Sequence, residues 1–327
     1  MRSYRELSAD LREALTQFLW DQWVSIGVAG SATQGDIPFM VDPEVLFLAT
    51  TAFAGDETRL LGEIADWLKL NGKSISIQRL KNFHRDLPVG DWEMVFDFAE
   101  TMVASGHPSW KSLLNLRDSR VSAVREATSG TWTTRGMSQR PDPHQVSNFM
   151  FRMRSFFGMN ARAEVFAWLL THDSGHPAGI ARETGWFSKT VQVILNELEQ
   201  SGLVLARTGD REKVFRLQSE QWRHLLPRGQ KPVWFAQAPF YTGCADLHRI
   251  LLTLADSEEG SDSFRATVIR PGLPRLIASF EKAGLSRCFS GLSRLKGTDL
   301  VSGFHGGTEI LLKFLGDRGQ FSPSLTG

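Results

Sequence analysis

The 327 residues predict a mainly α protein in which a central unit of three helices and a β-hairpin is flanked by N- and C-terminal helical domains. Apolar residues recur at three- and four-residue spacing along most of the chain, the period of a helix with one buried face. Those stretches are bounded by Asp, Ser, Gly and Pro, which start or stop helices. Two short apolar segments flank Gly209-Asp210, a hairpin signal in the middle of an otherwise helical pattern.

Residues 1–26 read as the first helix, with Leu11, Leu15, Leu19, Trp20 and Trp23 on one stripe and Ser8 as the start signal. Helical patterns follow near 42–54, 56–71 and 91–105, and residues 1–115 read as one helical domain. Between Arg117 and Arg154 seven Arg stand against Asp118, Glu126 and Asp142, a local surplus of four (seven minus three) around the turn-rich run TSGTWTTRGMSQRPDP. Residues 116–145 read as a basic linker, whose Arg135 and Arg140 suit either a flexible arm on a nucleic-acid groove or plain solvation. The stretch SISIQRLKNFHRD predicts a further helix capped by Ser74 or Ser76, whose Arg79, Lys81 and Arg85 form a solvated charged face or an auxiliary DNA contact. Residues 229–327 read as a C-terminal helical domain, with patterns at 241–255, 272–284 and 307–316.

With 37 basic and 36 acidic residues, 42% hydrophobic content and 2 Cys, the chain is neither a disordered tail nor a disulfide scaffold. Charges near the start, MRSYRELSADLREAL, argue against a signal peptide, and the longest apolar run, Val45 to Ala54, is about half of a bilayer crossing. A cytoplasmic protein without membrane contact is expected.

The segment from 146 to 228 carries the functional signal. Ala161 to His172 reads as an amphipathic helix with Val165, Phe166, Leu169 and Leu170 on one side. Pro177 suits the first turn of a short helix that stops at Gly185. Ser188 is placed to cap a longer helix whose Val191, Ile194, Leu195 and Leu198 fall at i, i+3, i+4 and i+7, and Gly202 ends it. The hairpin follows in LVLARTGDREKVFRLQ, so the order is that of a winged helix. Ala181, Gly185 and Val191 fall where a helix-turn-helix requires a small residue, a left-handed turn residue and an apolar anchor.

Through TGWFSKTVQVILNELEQSGLV the segment resembles the winged-helix transcriptional regulators of the MarR and ArsR types, over about 60 of the 327 residues. The resemblance implies binding of double-stranded DNA and a homodimer. It leaves Ser188, Lys189, Thr190, Gln192, Val193 and Asn196 for the major groove. Gln192 and Asn196 suit adenine edges, Val193 a thymine methyl, and Lys189 a phosphate or guanine. In the wing, Arg207, Arg211 and Lys213 would meet the backbone or minor groove. The acids Asp210 and Glu212 favour the competing expectation, a winged-helix adaptor for a protein partner, for example one linked to a toxin or defence system.

Catalytic and cofactor signals are weak. Gly72-Lys73-Ser74 matches the end of a P-loop, but the earlier Gly would fall on Trp67. Gly30-Ser31 with Asp36 and Asp42 lacks the close carboxylate spacing of a metal-dependent nucleotidyltransferase, and His305-Gly306-Gly307 has no G-x-S-x-G partner. Cys244, His248 and Cys288 supply three metal ligands where a structural zinc site takes four. His172 and His176 sit on a turn, and VWFAQAPFY suits a core or an effector pocket. No enzyme, cofactor or metal is expected.

Overall fold

A computed structural model describes residues 2–30, 37–117, 132–208, 213–227, 232–256 and 260–317. Helix α1 (Tyr4–Ser25) starts at a capping box in which the Glu6 N–H donates to Ser3 Oγ and the Ser3 N–H donates to the Glu6 carboxylate. Ser8, the expected start, is instead buried one turn inside; Ser3 prevails because a Glu three residues on satisfies the second orphan donor. After β1 (Phe39–Met40) come α2 (Pro43–Phe53), α3 (Thr58–Asn71), α4 (Ile77–Asp86), α5 (Trp92–Ala104) and the single turn α6 (Lys111–Leu114). Asp42, Ser76 and Asp91 cap α2, α4 and α5 through their side chains.

The middle of the chain forms α7 (Phe149–Phe157), α8 (Ala161–Thr171), α9 (Pro177–Thr184) and α10 (Ser188–Gln200). Strands β2 (Val204–Thr208) and β3 (Lys213–Leu217) then pair antiparallel, in register from Val204 opposite Leu217 to Thr208 opposite Lys213. Gly175, between α8 and α9, bridges Phe215 through two 2.9 Å backbone hydrogen bonds and adds a third rung to the ribbon. α8 is buried on nearly every side, with Arg162 alone exposed between Ala161 and Leu170, because α7, α9, α10 and β3 all pack around it. The one-sided stripe expected from sequence is thus part of a central, all-round buried helix.

β4 (Val233–Trp234) pairs parallel to β1, and α11 (Gln237–Ala255), α12 (Asp262–Ile269), α13 (Leu273–Lys282) and α14 (Gly297–Gly316) complete the chain. α12 has no counterpart in the sequence reading because it is only about two turns long, with just Ala266 and Ile269 buried. Leu11, Phe18 and Trp23 of α1 share one hydrophobic cluster with Phe240 and Leu251 of α11, Phe280 of α13 and Phe304 of α14. The Gln22 amide donates to Tyr241 Oη at 2.6 Å across this core. Residues 1–115 and 229–327, separate in the chain, therefore build one core, in which Phe235 and Phe240 of the aromatic stretch are buried. A second core belongs to α8, α9, α10 and the ribbon. α7 joins the two, with Phe151 in the first and Met150 and Met153 in the second.

The described end of the basic segment lies along α3. Asp66 accepts the backbone N–H groups of Gly136, Met137 and Ser138 at 2.9 to 3.0 Å. Burial acts to raise the pKa of Asp66, and these donors outweigh it and hold the carboxyl below the ordinary range. Arg135 pairs with Glu63, and Trp132 stacks on Phe98 with centroids 4.7 Å apart. Gly62 allows this close passage, since a Cβ there would stand 2.8 Å from the Thr133 carbonyl oxygen. Among the described linker residues, then, Arg135 and Arg140 are both exposed, and Arg135 is paired with the buried Glu63.

Candidate nucleic-acid interface

Local sequence sets the geometry of α9, the turn after it and α10. His176 Nδ1 accepts the Ala178 N–H, Pro177 occupies the first helical position, and α9 ends where Gly185 adopts φ +71°. The Trp186 N–H returns to the Ala181 carbonyl at 3.1 Å. Ser188, expected to cap the next helix, is its first helical residue: Phe187 holds the extended cap position without a side-chain hydrogen bond, its ring 4.6 Å beneath the Arg85 guanidinium. Val191, Ile194, Leu195 and Leu198 are buried as their spacing requires.

The opposite face of α10 is open. Ser188, Lys189 and Val193 are exposed, and Thr190, Gln192 and Asn196 are half-buried. Gln192 Nε2 donates to Asn196 Oδ1 at 3.0 Å, which aligns the two amides and leaves Gln192 Oε1 and Asn196 Nδ2 for an incoming group. The acids of this helix are neutralised at its sides, Glu197 by Arg162 and Glu199 by Lys213. On the ribbon Arg207 is exposed, as is Arg216, which stands opposite Leu205. Lys213 is tied to Glu199 and lies 5.1 Å over the Phe215 ring. Arg211, with Asp210 and Glu212, lies outside the described residues.

The turn ahead of α10 is gripped from α4. Arg79 Nε donates to the Thr184 carbonyl and Asn82 Nδ2 to the Gly185 carbonyl, each at 2.9 Å. A Cβ on Gly185 would come within 2.5 Å of the Phe83 ring. Arg79 is fully buried, in contact with Asp42 and Glu44, which corrects the expectation of a solvated or DNA-facing arginine. Glu44 also receives both terminal nitrogens of Arg154 at 2.7 Å, and Arg154 Nε donates to Glu164 at 2.8 Å. The far oxygen of Glu164 accepts the Trp186 indole N–H at 3.2 Å. Three carboxylates and two guanidinium groups thus connect α2, α4, α7 and α8 to the turn. Burial opposes the charge on Asp42 and on Arg79; their mutual attraction prevails, lowering the pKa of Asp42 and raising that of Arg79.

The grip by Arg79 and Asn82 escaped sequence reasoning, because the Glu44, Thr184 and Gly185 they hold lie 35 to 105 positions away. The Ser76 cap is the one local sign, since it fixes which face of α4 holds Arg79 and Asn82.

Cys244 and Cys288 are both buried, and burial pushes the Cys288 thiol up to about 11 and Cys244 well above its ordinary value. Both are therefore protonated thiols near neutral pH, and no group of three metal-ligating side chains converges among the described residues. His172 stacks on Trp168 at 3.8 Å, and His305 faces the Arg2 carbonyl. No described helix is long and apolar enough to cross a membrane. The chain matches no protein-family model, no curated protein and no solved structure.

Proposed function

We propose that this chain is a DNA-binding transcription regulator, a homodimer with the character of a repressor, built on a winged helix-turn-helix unit. α10 enters the major groove and the ribbon of β2 and β3 follows the backbone. One observation carries the reading: the face of α10 with Lys189, Gln192, Val193 and Asn196 is left open while its other face is packed and its entry turn is held by Arg79 and Asn82. A rigidly held helix with an uncovered polar face is what base readout needs. Gln192 and Asn196 read adenine edges, Val193 meets a thymine methyl, and Lys189, Ser188, Thr190 and Arg207 take phosphates or a guanine. With so few cations per subunit, two copies on a palindrome supply the affinity, their α10 helices spaced near ~34 Å. Gel shifts with DNA flanking the gene are expected to show binding that weakens steeply with salt. Such binding is expected to fall at least ~10-fold in a Lys189→Ala, Gln192→Ala double variant.

A second reading rests on the apolar groove beside this face, where Met159, Phe187 and Val193 are each more than a third exposed. There a partner protein would dock, making the unit an adaptor. Absent or salt-insensitive DNA binding, together with a silent double variant, selects this reading over the first.

A further inference from the structure

A cleft of about 850 Å³ opens where α4, α9, α11 and α13 meet. Its size is that of a small-molecule site. Arg85, Arg182, Arg275 and Lys282 line it against Asp86 and Glu183, a surplus of two cations (four minus two) in a chain whose formal net charge is +1. Arg85 is paired with Asp86 and Arg275 with Asp246. Arg182 of α9 and Lys282 of α13 have no ion-pair partner among the described residues. Ser279 is 7% exposed and lines the same cleft, and its hydroxyl has no hydrogen-bond partner among the described residues. A helical serine in such a position ordinarily bonds back to the preceding turn. The rest of the lining is mixed, with the polar side chains of Asn82, His84 and Thr242 beside an apolar stretch that includes Phe83, Pro239 and Ala278.

We propose that this cleft binds a small organic anion, its carboxylate or phosphate held between Arg182 and Lys282 with Ser279 as a further donor and its apolar body against Phe83, Pro239 and Ala278. Two exposed cations on the lining of one cleft can give an anion charge-assisted hydrogen bonds that neither makes within the fold. The apolar wall supplies the area term that a bare inorganic ion lacks. The site stands whether or not the chain binds DNA, because its test contains no nucleic acid.

The experiment uses the full chain with anilinonaphthalene sulfonate, an aromatic anion whose fluorescence reports binding, and with phenyl phosphate and inorganic phosphate as competitors. One saturable site is expected, displaced by phenyl phosphate about ten times more effectively than by inorganic phosphate. The Arg182→Gln, Lys282→Gln double variant changes two exposed side chains and is expected to fold normally, with affinity lowered about tenfold or more. Ala278→Trp fills the cleft and is expected to abolish binding. The proposal is overturned if neither aromatic anion binds saturably up to millimolar concentration, or if the double variant binds as the parent does. Equal competition by inorganic phosphate overturns the role given to the apolar wall.

Discussion

The arginines between residues 117 and 154 and the polar residues of α10 look alike in sequence, as polar groups without obvious partners, yet the fold treats them in opposite ways. Arg117 contacts Glu93, Asp97 and Glu100; Arg135 pairs with Glu63; Arg154 is buried between Glu44 and Glu164. On the open face of α10, Gln192 bonds to Asn196 of the same helix, and Ser188, Lys189 and Val193 stay exposed. A basic stretch therefore measures how much acid the rest of the molecule must supply, and says little about an external anion. What marks the proposed interface is a polar face whose helix is fixed from behind.

The sharpest way to break this contrast is to remove a buried arginine. Arg79→Met or Arg154→Met strands carboxylates in the interior and is expected to cost about 3–5 kcal/mol of stability in chemical denaturation. A cost under about 1 kcal/mol, the range of exposed pairs, would show that these arginines are not spent internally. Next comes the test between regions. Lys189→Ala with Gln192→Ala is expected to lower DNA affinity at least ~10-fold, whereas Arg140→Ala changes it less than about twofold. Equal losses from both would erase the distinction. Gly185→Ala asks whether the turn is held as tightly as the contacts indicate. Its left-handed backbone costs an alanine ~1–2 kcal/mol before the overlap with Phe83 is counted, so a melting temperature lowered by several degrees is expected.

The smallest effect belongs to the strap on α3. Asp66→Asn is expected to cost ~1–2 kcal/mol and to raise proteolysis near Met137. The same group, with Asp42, sets the acid limb of stability. Both pKa values are lower in the folded than in the unfolded chain, so their contribution is complete above roughly pH 4 and is lost as pH falls through the depressed folded values. Denaturation midpoints measured at pH 7, 4 and 3 should decline in that order, and Asp66→Asn should flatten the decline.

Much of the fold was legible because it is written in local signals. The caps at Asp42, Ser76 and Asp91, the Pro177 start, the Gly185 stop and the 191-194-195-198 stripe all work within one or two turns of their own helix. The two apolar segments around Gly209-Asp210 likewise announced the ribbon of β2 and β3. Illegible features depend on distant groups. Nothing in the neighbourhood of Arg79 tells that it meets Asp42 and the Thr184 carbonyl, and a lysine-and-arginine-bearing helix reads as a solvated face until its partners are placed. The all-round burial of α8 was hidden for the same reason, since alanines at 161, 163 and 167 are silent about which neighbours press on them.

The union of the chain's two ends in one core has a consequence for its synthesis. Phe18 of α1 reaches Phe240 of α11 at 5.8 Å and Phe314 of α14 at 6.4 Å, across more than two hundred residues. As the polypeptide leaves the ribosome, its opening helices must wait, with their apolar sides provisionally uncovered, until almost the last segment has emerged, while the central unit holds its own contacts close in sequence and can assemble early. The nascent chain is then expected to order itself from the middle outward, and its first hundred residues to depend on chaperones for longer than any other part.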